Sequence, residues 1–245
     1  SVLHTRCIGR SVPEFRPAIL FFSHRPAREW QNKRFVPHDR AKTRQVAEAL
    51  YDHTLTAAQA SGLPVLEITD AEQRGATFGD RLANAFQDAF DDGYTHVIAV
   101  GSDCPTLDAV DWSGVLDRLA HGAPVLGPTS DDAGTYLIGL HHAQFDADAF
   151  AALPWQSSDL LHALTRHLSS HATVPARLQR RADVNSHGDL LMLLRNDAHA
   201  SPLCDRLRVI LGLTRPAAAV SLLVSSCAVR LHFSRGPPVP SAPVK

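Results

Sequence analysis

An α/β fold, with a mixed and mostly parallel sheet and helices on both faces, is what this 245-residue sequence predicts on three observations. Short apolar runs alternate with amphipathic segments from Pro17 onward, the pattern of successive βα units. The run Thr95-His96-Val97-Ile98-Ala99-Val100 ends in Gly101-Ser102-Asp103-Cys104-Pro105, which puts a carboxylate at a strand's C-terminal end, where open α/β sheets bind ligands. Hydrophobic residues make up 44% of the chain, enough for the core of one domain of this size.

Ala18 to Phe22 is continuously apolar and reads as the first strand. Arg40 to Ala60 carries Val46, Ala49, Leu50, His53 and Leu55 at helical spacing, and Pro64 to Ile68 returns to a strand. Phe78 to Phe90 is a helix with Phe78, Leu82, Ala85, Phe86 and Phe90 on one face, and the Asp103 strand follows. A helix over 110–119, strands at 124–127 and 136–140, a helix over 159–171, a strand near 173–178 and a helix over 187–194 complete the domain. The expected boundaries are an N-terminal extension over 1–16, one domain over 17–214, and a C-terminal extension over 215–245. The extension's end, Gly236 to Pro243, holds four prolines and is expected not to pack.

A formal charge of -1 gives no electrostatic case for nucleic acid or a membrane surface. Ala217 to Val229, the longest apolar stretch near an end, is too short and too rich in Ser to span a bilayer. Cys7, Cys104, Cys204 and Cys227 are scattered, so neither a zinc knuckle nor a disulfide framework is indicated. No signal-peptide pattern opens the sequence, and a cytoplasmic location is expected. The only lysines are Lys33, Lys42 and Lys245, which makes a lysine in a site a pointed choice.

Asp103 is the first candidate for chemistry, because Mg²⁺ is commonly held by one or two carboxylates plus substrate phosphates. Asp before Pro is equally a helix-start signal, and both readings stand at this level. The loop after the first strand, Ser23 to Arg34, offers Lys33 and Arg34 to stabilise a departing diphosphate. No glycine lies between Gly9 and Gly62, so this loop lacks the close backbone approach of a Gly-rich triphosphate cradle. Arg81 and Asn84, three apart on a helix, share a face, but the same pattern suits any amphipathic helix. Asp131-Asp132-Ala133-Gly134 reads as a turn into a strand. Asn185 or Ser186, with Asp189 in the next turn, reads as a helix N-cap, and Trp155 as a core residue or a stacking platform.

Several stretches together resemble the domain-of-unknown-function family 2064: Gln73 to Phe86, the Asp103 motif, Val125-Leu126-Gly127-Pro128, Asp132 to Gly139, Pro154 to Ser158, and Asp183 to Leu190. They span about Ala18 to Asn196. Members of that family are described as presumed glycosyltransferases of the nucleotide-diphospho-sugar transferase (GT-A) superfamily. The resemblance implies a metal-dependent transferase using a nucleoside-diphosphate sugar, with Mg²⁺ or Mn²⁺ held by Asp103 and Asn185. It further implies a nucleotide site at Lys33, Arg34, Arg81, Asn84 and Ser102, and a substrate site at Gly134 and Trp155. Asp132, with Lys33, would be catalytic. Departures are Asn185, where Asp is commoner, and Ala133, where Gly is usual. A nucleotidyltransferase acting on a phosphorylated small molecule, or a catalytically silent nucleotide-binding protein, is the alternative.

Overall fold

The computed structural model describes residues 14–26, 28, 33–130, 134–169, 173–196 and 201–214. Asp131, Asp132, Ala133 and the whole of 215–245, including its Pro-rich end, lie outside the described residues. The described strands are β1 (Pro17–Phe22), β2 (Val65–Ile68), β3 (His96–Val100), β4 (Val125–Pro128), β5 (Thr135–His141) and β6 (Ala176–Arg177). The described helices are α1 (Arg40–Gln59), α2 (Phe78–Asp91), α3 (Trp112–Ala120), α4 (Ala147–Ala151), α5 (Leu160–Ser169), α6 (His187–Arg195) and α7 (Pro202–Leu211).

The six strands form one sheet in the order β2-β1-β3-β5-β4-β6. β1 runs parallel to β2 and β3, and β4 parallel to β6, while β5 is antiparallel to both β3 and β4. One reversed strand in an otherwise parallel sheet is the mixed arrangement the sequence predicts.

The pleat sends alternate residues to opposite faces, so each central strand feeds two cores. Leu20, Phe22, Val97, Ala99, Ile138 and Leu140 pack against α2, α4 and α5 through Leu82, Phe86, Phe150, Leu161 and Leu164. Ile19, Phe21, Ile98, Val100, Val125 and Leu137 pack against Tyr51 and Ala58 of α1, Leu107, and Val115 and Leu119 of α3. Both faces are therefore covered.

A third cluster lies outside this sandwich. The opposite side of α1 (Val46, Ala47, Leu50) buries against Phe35, Val184, Leu190 and Leu194, and against Leu203, Cys204 and Leu207 of α7. α4 and α7 are elements the sequence reading does not single out. α7 has Ser201 as N-cap, Pro202 at its first position and Gly212 at φ 73° beyond its end, the ordinary start and stop chemistry of a helix.

Candidate functional site

The C-terminal ends of the parallel strands open into one cavity of about 550 Å³. Its walls are Ser23 and His24 after β1, Gly101 to Asp103 after β3, Thr129 after β4, Gly134 and Thr135 at the start of β5, and Asp183 and Asn185 before α6. Phe78, Arg81, Trp155 and Gln156 close the side under α2, and Lys33 enters from the loop before α1.

Asp103 caps no helix. The helical turn at Leu107–Ala109 has no side-chain cap, and Asp111 caps α3 by accepting from the Gly114 amide. Instead, Asp103 Oδ2 accepts a charge-assisted hydrogen bond from Lys33 Nζ at 3.1 Å, with side chains 35% and 17% exposed respectively. A Cβ on Gly101 would meet Asp103 Oδ1 at 2.8 Å, so the bare backbone there leaves room for the carboxylate. The neighbouring Cys104 is buried, which pushes its thiol up to about 12 and makes it a poor nucleophile. Cys104 forms no disulfide.

Asn185 is relieved of capping. Ser186 caps α6, and Asp189 reaches back to the backbone amides of Asn185 and Ser186 at 3.1 and 2.8 Å. The Asn185 side chain donates instead to Asp183 and lines the cavity beside it. The Val184 amide between them donates to the Asp103 carbonyl at 2.8 Å, which brings the two sequence-distant motifs together. Arg181 reinforces that junction: its guanidinium donates to the carbonyls of Thr106 at 2.8 Å and Ala109 at 2.5 Å, and its charge stands over the Tyr136 ring. Tyr136 in turn donates to the Gln179 carbonyl at 3.0 Å.

The donor set at this edge is all oxygen: the Asp103 and Asp183 carboxylates and the Asn185 amide. Among the described residues no group of three or more His, Cys, Asp or Glu side chains is arranged to hold a metal. A small set of hard donors fits a divalent cation that completes its shell with water and ligand phosphates, and does not fit a dedicated protein cage.

Other predicted residues divide. Ser102 lines the cavity, and its hydroxyl lies 2.6 Å from that of Ser23, joining the ends of β3 and β1. Gly134 also lines it, exchanging hydrogen bonds with Thr129. Arg81 is in the wall, with a buried Nε that has no partner among the described residues. Asn84 is not in the wall; its amide holds the Arg74 carbonyl at 2.8 Å, because that face of α2 looks along the preceding loop rather than into the cavity. Arg34 is exposed and outside the lining. Trp155 serves both readings, since its indole donates to the Phe150 carbonyl at 2.9 Å and packs on Phe78 and Phe150 while its edge lines the cavity. Asp132 lies outside the described residues, in sequence between the two wall residues Thr129 and Gly134.

The sequence reading assigns no site role to His24, Gln73, Asp183 or Gln156. Gln73 donates to the Ser23 carbonyl at 3.0 Å and ties β1 to the segment after β2. His24 Nδ1 is buried without a partner among the described residues. Its place directly after β1 was the available signal. Gln156 adopts φ 62°, a left-handed conformation uncommon for a side chain of its kind and often found at functional sites.

Comparison with known proteins bears on fold and family. Residues 38–157 match the sequence model of the family described as "Uncharacterized protein conserved in bacteria (DUF2064)". A Desulfovibrio desulfuricans G20 protein, provisionally named a nucleotide-diphospho-sugar transferase, superposes with a TM-score of 0.65 at 24% identity, over 80% of this chain and 95% of its own. Rv0371c from Mycobacterium tuberculosis H37Rv aligns over 76% of this chain and all (100%) of its own at 15% identity, with a TM-score of 0.39 that carries no argument. None of the curated proteins matches. No helix among the described residues is long and apolar enough to cross a membrane. The family match is shorter than the span of the motifs, yet it contains the Asp103 strand and the turn into β5. Residues 38–157 thus resemble the DUF2064 family, and the chain that holds them shares its fold with a protein provisionally named a nucleotide-diphospho-sugar transferase.

Proposed function

We propose that this chain is a divalent-metal-dependent transferase that takes a nucleoside-diphosphate sugar as donor and passes the glycosyl group to a small-molecule acceptor, in the cytoplasm. One observation carries the reading: the Val184 amide on the Asp103 carbonyl, which puts the Asp103 carboxylate and the Asp183 and Asn185 side chains in one cavity wall with Lys33 beside them. The fold shared with the Desulfovibrio protein supports it, as does the name that protein carries.

In this reading Asp103 and Asn185 hold Mg²⁺ or Mn²⁺, which when bound neutralises charge on a departing diphosphate. Lys33 adds a second cation at the same edge, and Ser102 borders it. Phe78 and Trp155 supply an apolar wall suited to a base or a sugar face, and Arg81 a cation within that wall. Asp132 falls in sequence between the wall residues Thr129 and Gly134, and its role in this reading is to orient donor or acceptor and take a proton from an attacking hydroxyl.

A thermal-shift panel of nucleoside diphosphates, triphosphates and nucleotide sugars, each with and without Mg²⁺, tests the proposal. Stabilisation by a nucleoside diphosphate and its sugar, dependent on Mg²⁺, is expected. Much stronger triphosphate binding, with pyrophosphate released in the presence of a sugar phosphate, would replace it with nucleotidyl transfer. Binding without turnover of any donor would leave a silent nucleotide-binding protein.

A further inference from the structure

The Lys33 ammonium already occupies one oxygen of the carboxylate that a cation on Asp103 would use. It is 3.1 Å from Asp103 Oδ2, its side chain is only 17% exposed, and it stands 5.8 Å from the centre of the Phe35 ring, a buried residue of the third core cluster. A divalent ion arriving alone must either share the carboxylate with this like charge or push the lysine away from its partner. At such distances in a partly desolvated site both options are costly. A phosphate-bearing ligand removes the conflict, since its oxygens accept from the lysine while the carboxylate turns to the metal.

We propose that Lys33 is the specificity-determining latch of this site: paired with Asp103 it keeps divalent cations out of the free protein, and a phosphate ligand opens the site to metal by drawing the lysine onto itself. The inference rests on the proposed function for the identity of the ligand, but concerns a coupling that function does not require. Metal and phosphate ligand then bind cooperatively, because each releases the partner the other needs.

The latch is tested with two simple probes on the full chain, so that metal–phosphate complexes in solution do not intervene. The first is Mn²⁺ alone, followed by the paramagnetic resonance of free Mn²⁺. Lys33→Met keeps an apolar stem over Phe35 and removes the charge, and it is expected to bind Mn²⁺ at least about fivefold more tightly than wild type, the lower end of typical coupling. Arg34→Met, which removes an equal charge one residue away at an exposed position, is expected to change Mn²⁺ affinity by less than about twofold, given how strongly solvent screens exposed charges. The second probe is metal-free pyrophosphate, followed by calorimetry. Asp103→Asn removes the carboxylate's charge from beside Lys33 and is expected to tighten pyrophosphate at least about fivefold, a gain that disappears when Lys33→Met is added. Circular dichroism establishes that each variant is folded, and Lys33→Arg is expected to restore the wild-type weakness toward Mn²⁺.

Equal Mn²⁺ binding by wild type and Lys33→Met, no Mn²⁺ binding by either at millimolar concentration, or an equal Asp103→Asn gain in the Lys33→Met background would each overturn the latch. A protein that shows this cycle intact but is stabilised by no nucleotide or nucleotide sugar upholds the latch and removes the proposed function instead.

Discussion

The Val184 amide donates to the Asp103 carbonyl at 2.8 Å, so a strand end and a helix entrance 81 residues apart in sequence share one peptide contact at the rim of the cavity. That contact uses backbone only, and it engages neither the Asp103 carboxylate nor the Asn185 side chain.

Asp103→Ala is expected to abolish the Mg²⁺-dependent part of nucleotide binding while moving the melting temperature by no more than about 2 °C, because a strand-end side chain contributes little to the core. Thermal shifts with and without Mg²⁺ read both quantities. Unchanged Mg²⁺ dependence would remove Asp103 from the metal site.

Lys33→Ala is expected to weaken both a nucleoside-diphosphate sugar and the matching triphosphate by about 1.5–3 kcal/mol, the scale of a charge-assisted hydrogen bond. The diphosphate sugar should bind at least as well as the triphosphate, since the chain between Gly9 and Gly62 offers no glycine to wrap phosphates with backbone amides. Titration calorimetry with both ligands checks the pair.

Arg181 lies outside the cavity lining, yet Arg181→Ala is expected to impair the site. It loses the hydrogen bonds to Thr106 and Ala109, at a cost of about 1.5–3 kcal/mol in stability. It also loosens the segment that positions Asp183 and Asn185, so nucleotide affinity should fall. Urea denaturation measured beside nucleotide titration would refute this if stability fell and affinity did not.

At Gly79 an added Cβ would meet the Ala151 carbonyl oxygen at 2.2 Å and Trp155 Cδ1 at 2.6 Å. Gly79→Ala is therefore expected to destabilise the fold by about 1–3 kcal/mol, as overpacking does, and to shift the indole at the cavity edge. A changed tryptophan emission together with a lower melting temperature is the expected result; unaltered emission would mean that α2 and α4 part without disturbing Trp155.

His96 gives the protein an acid limb. It is buried, its Nδ1 lies 3.0 Å from the Thr95 hydroxyl, and burial, with the adjacent His141, lowers it from 6.5 to about 4. The folded state thus favours neutral imidazole, so this contribution is complete above pH 6.5 and is lost as the pH falls toward 4, by ~3 kcal/mol in all. His141, shifted the same way by its own burial and by His142, adds in the same sense. Urea unfolding between pH 7 and 4 should show a shallower decline for His96→Phe than for wild type.

The two-layered core was legible because continuous apolar runs and helical periodicity are local properties. Ala18 to Phe22 is apolar throughout, as a strand covered on both faces must be, and Ile19 and Phe21 meet one core while Leu20 and Phe22 meet the other. Asp103 was legible for the same reason, being at the end of a strand. Its partner was less so: nothing local says that Lys33, 70 residues upstream, returns to the carboxylate. Asn84 shows the limit of face-sharing arguments, since Arg81 lines the cavity and Asn84, one turn on, is taken by the Arg74 carbonyl. Asp183 stood in the quoted motif without a role, since the sequence does not say which side chain of Asp183-Val184-Asn185 reaches a site; the Val184 contact sets the segment beside Asp103, and Asp183 lines the cavity. β6 is two residues long, where the sequence suggests six, because its pairing with β4 stops after Ala176 and Arg177.

Because β5 descends between β3 and β4, its first residues, with Gly134 before them, lie on the same rim where β1 and β3 finish. A sheet wound entirely in parallel would carry that crossover to the far side and leave the rim to the ends of ascending strands alone. Here a hairpin contributes directly, and hairpin turns accept changes of length and composition without altering strand order. Selection can therefore remodel one half of the opening, around Thr129 and Gly134, while the half built on Lys33 and Asp103 stays fixed. Under the proposed function, new acceptors would be acquired around Thr129 and Gly134, and the handling of phosphate inherited unchanged.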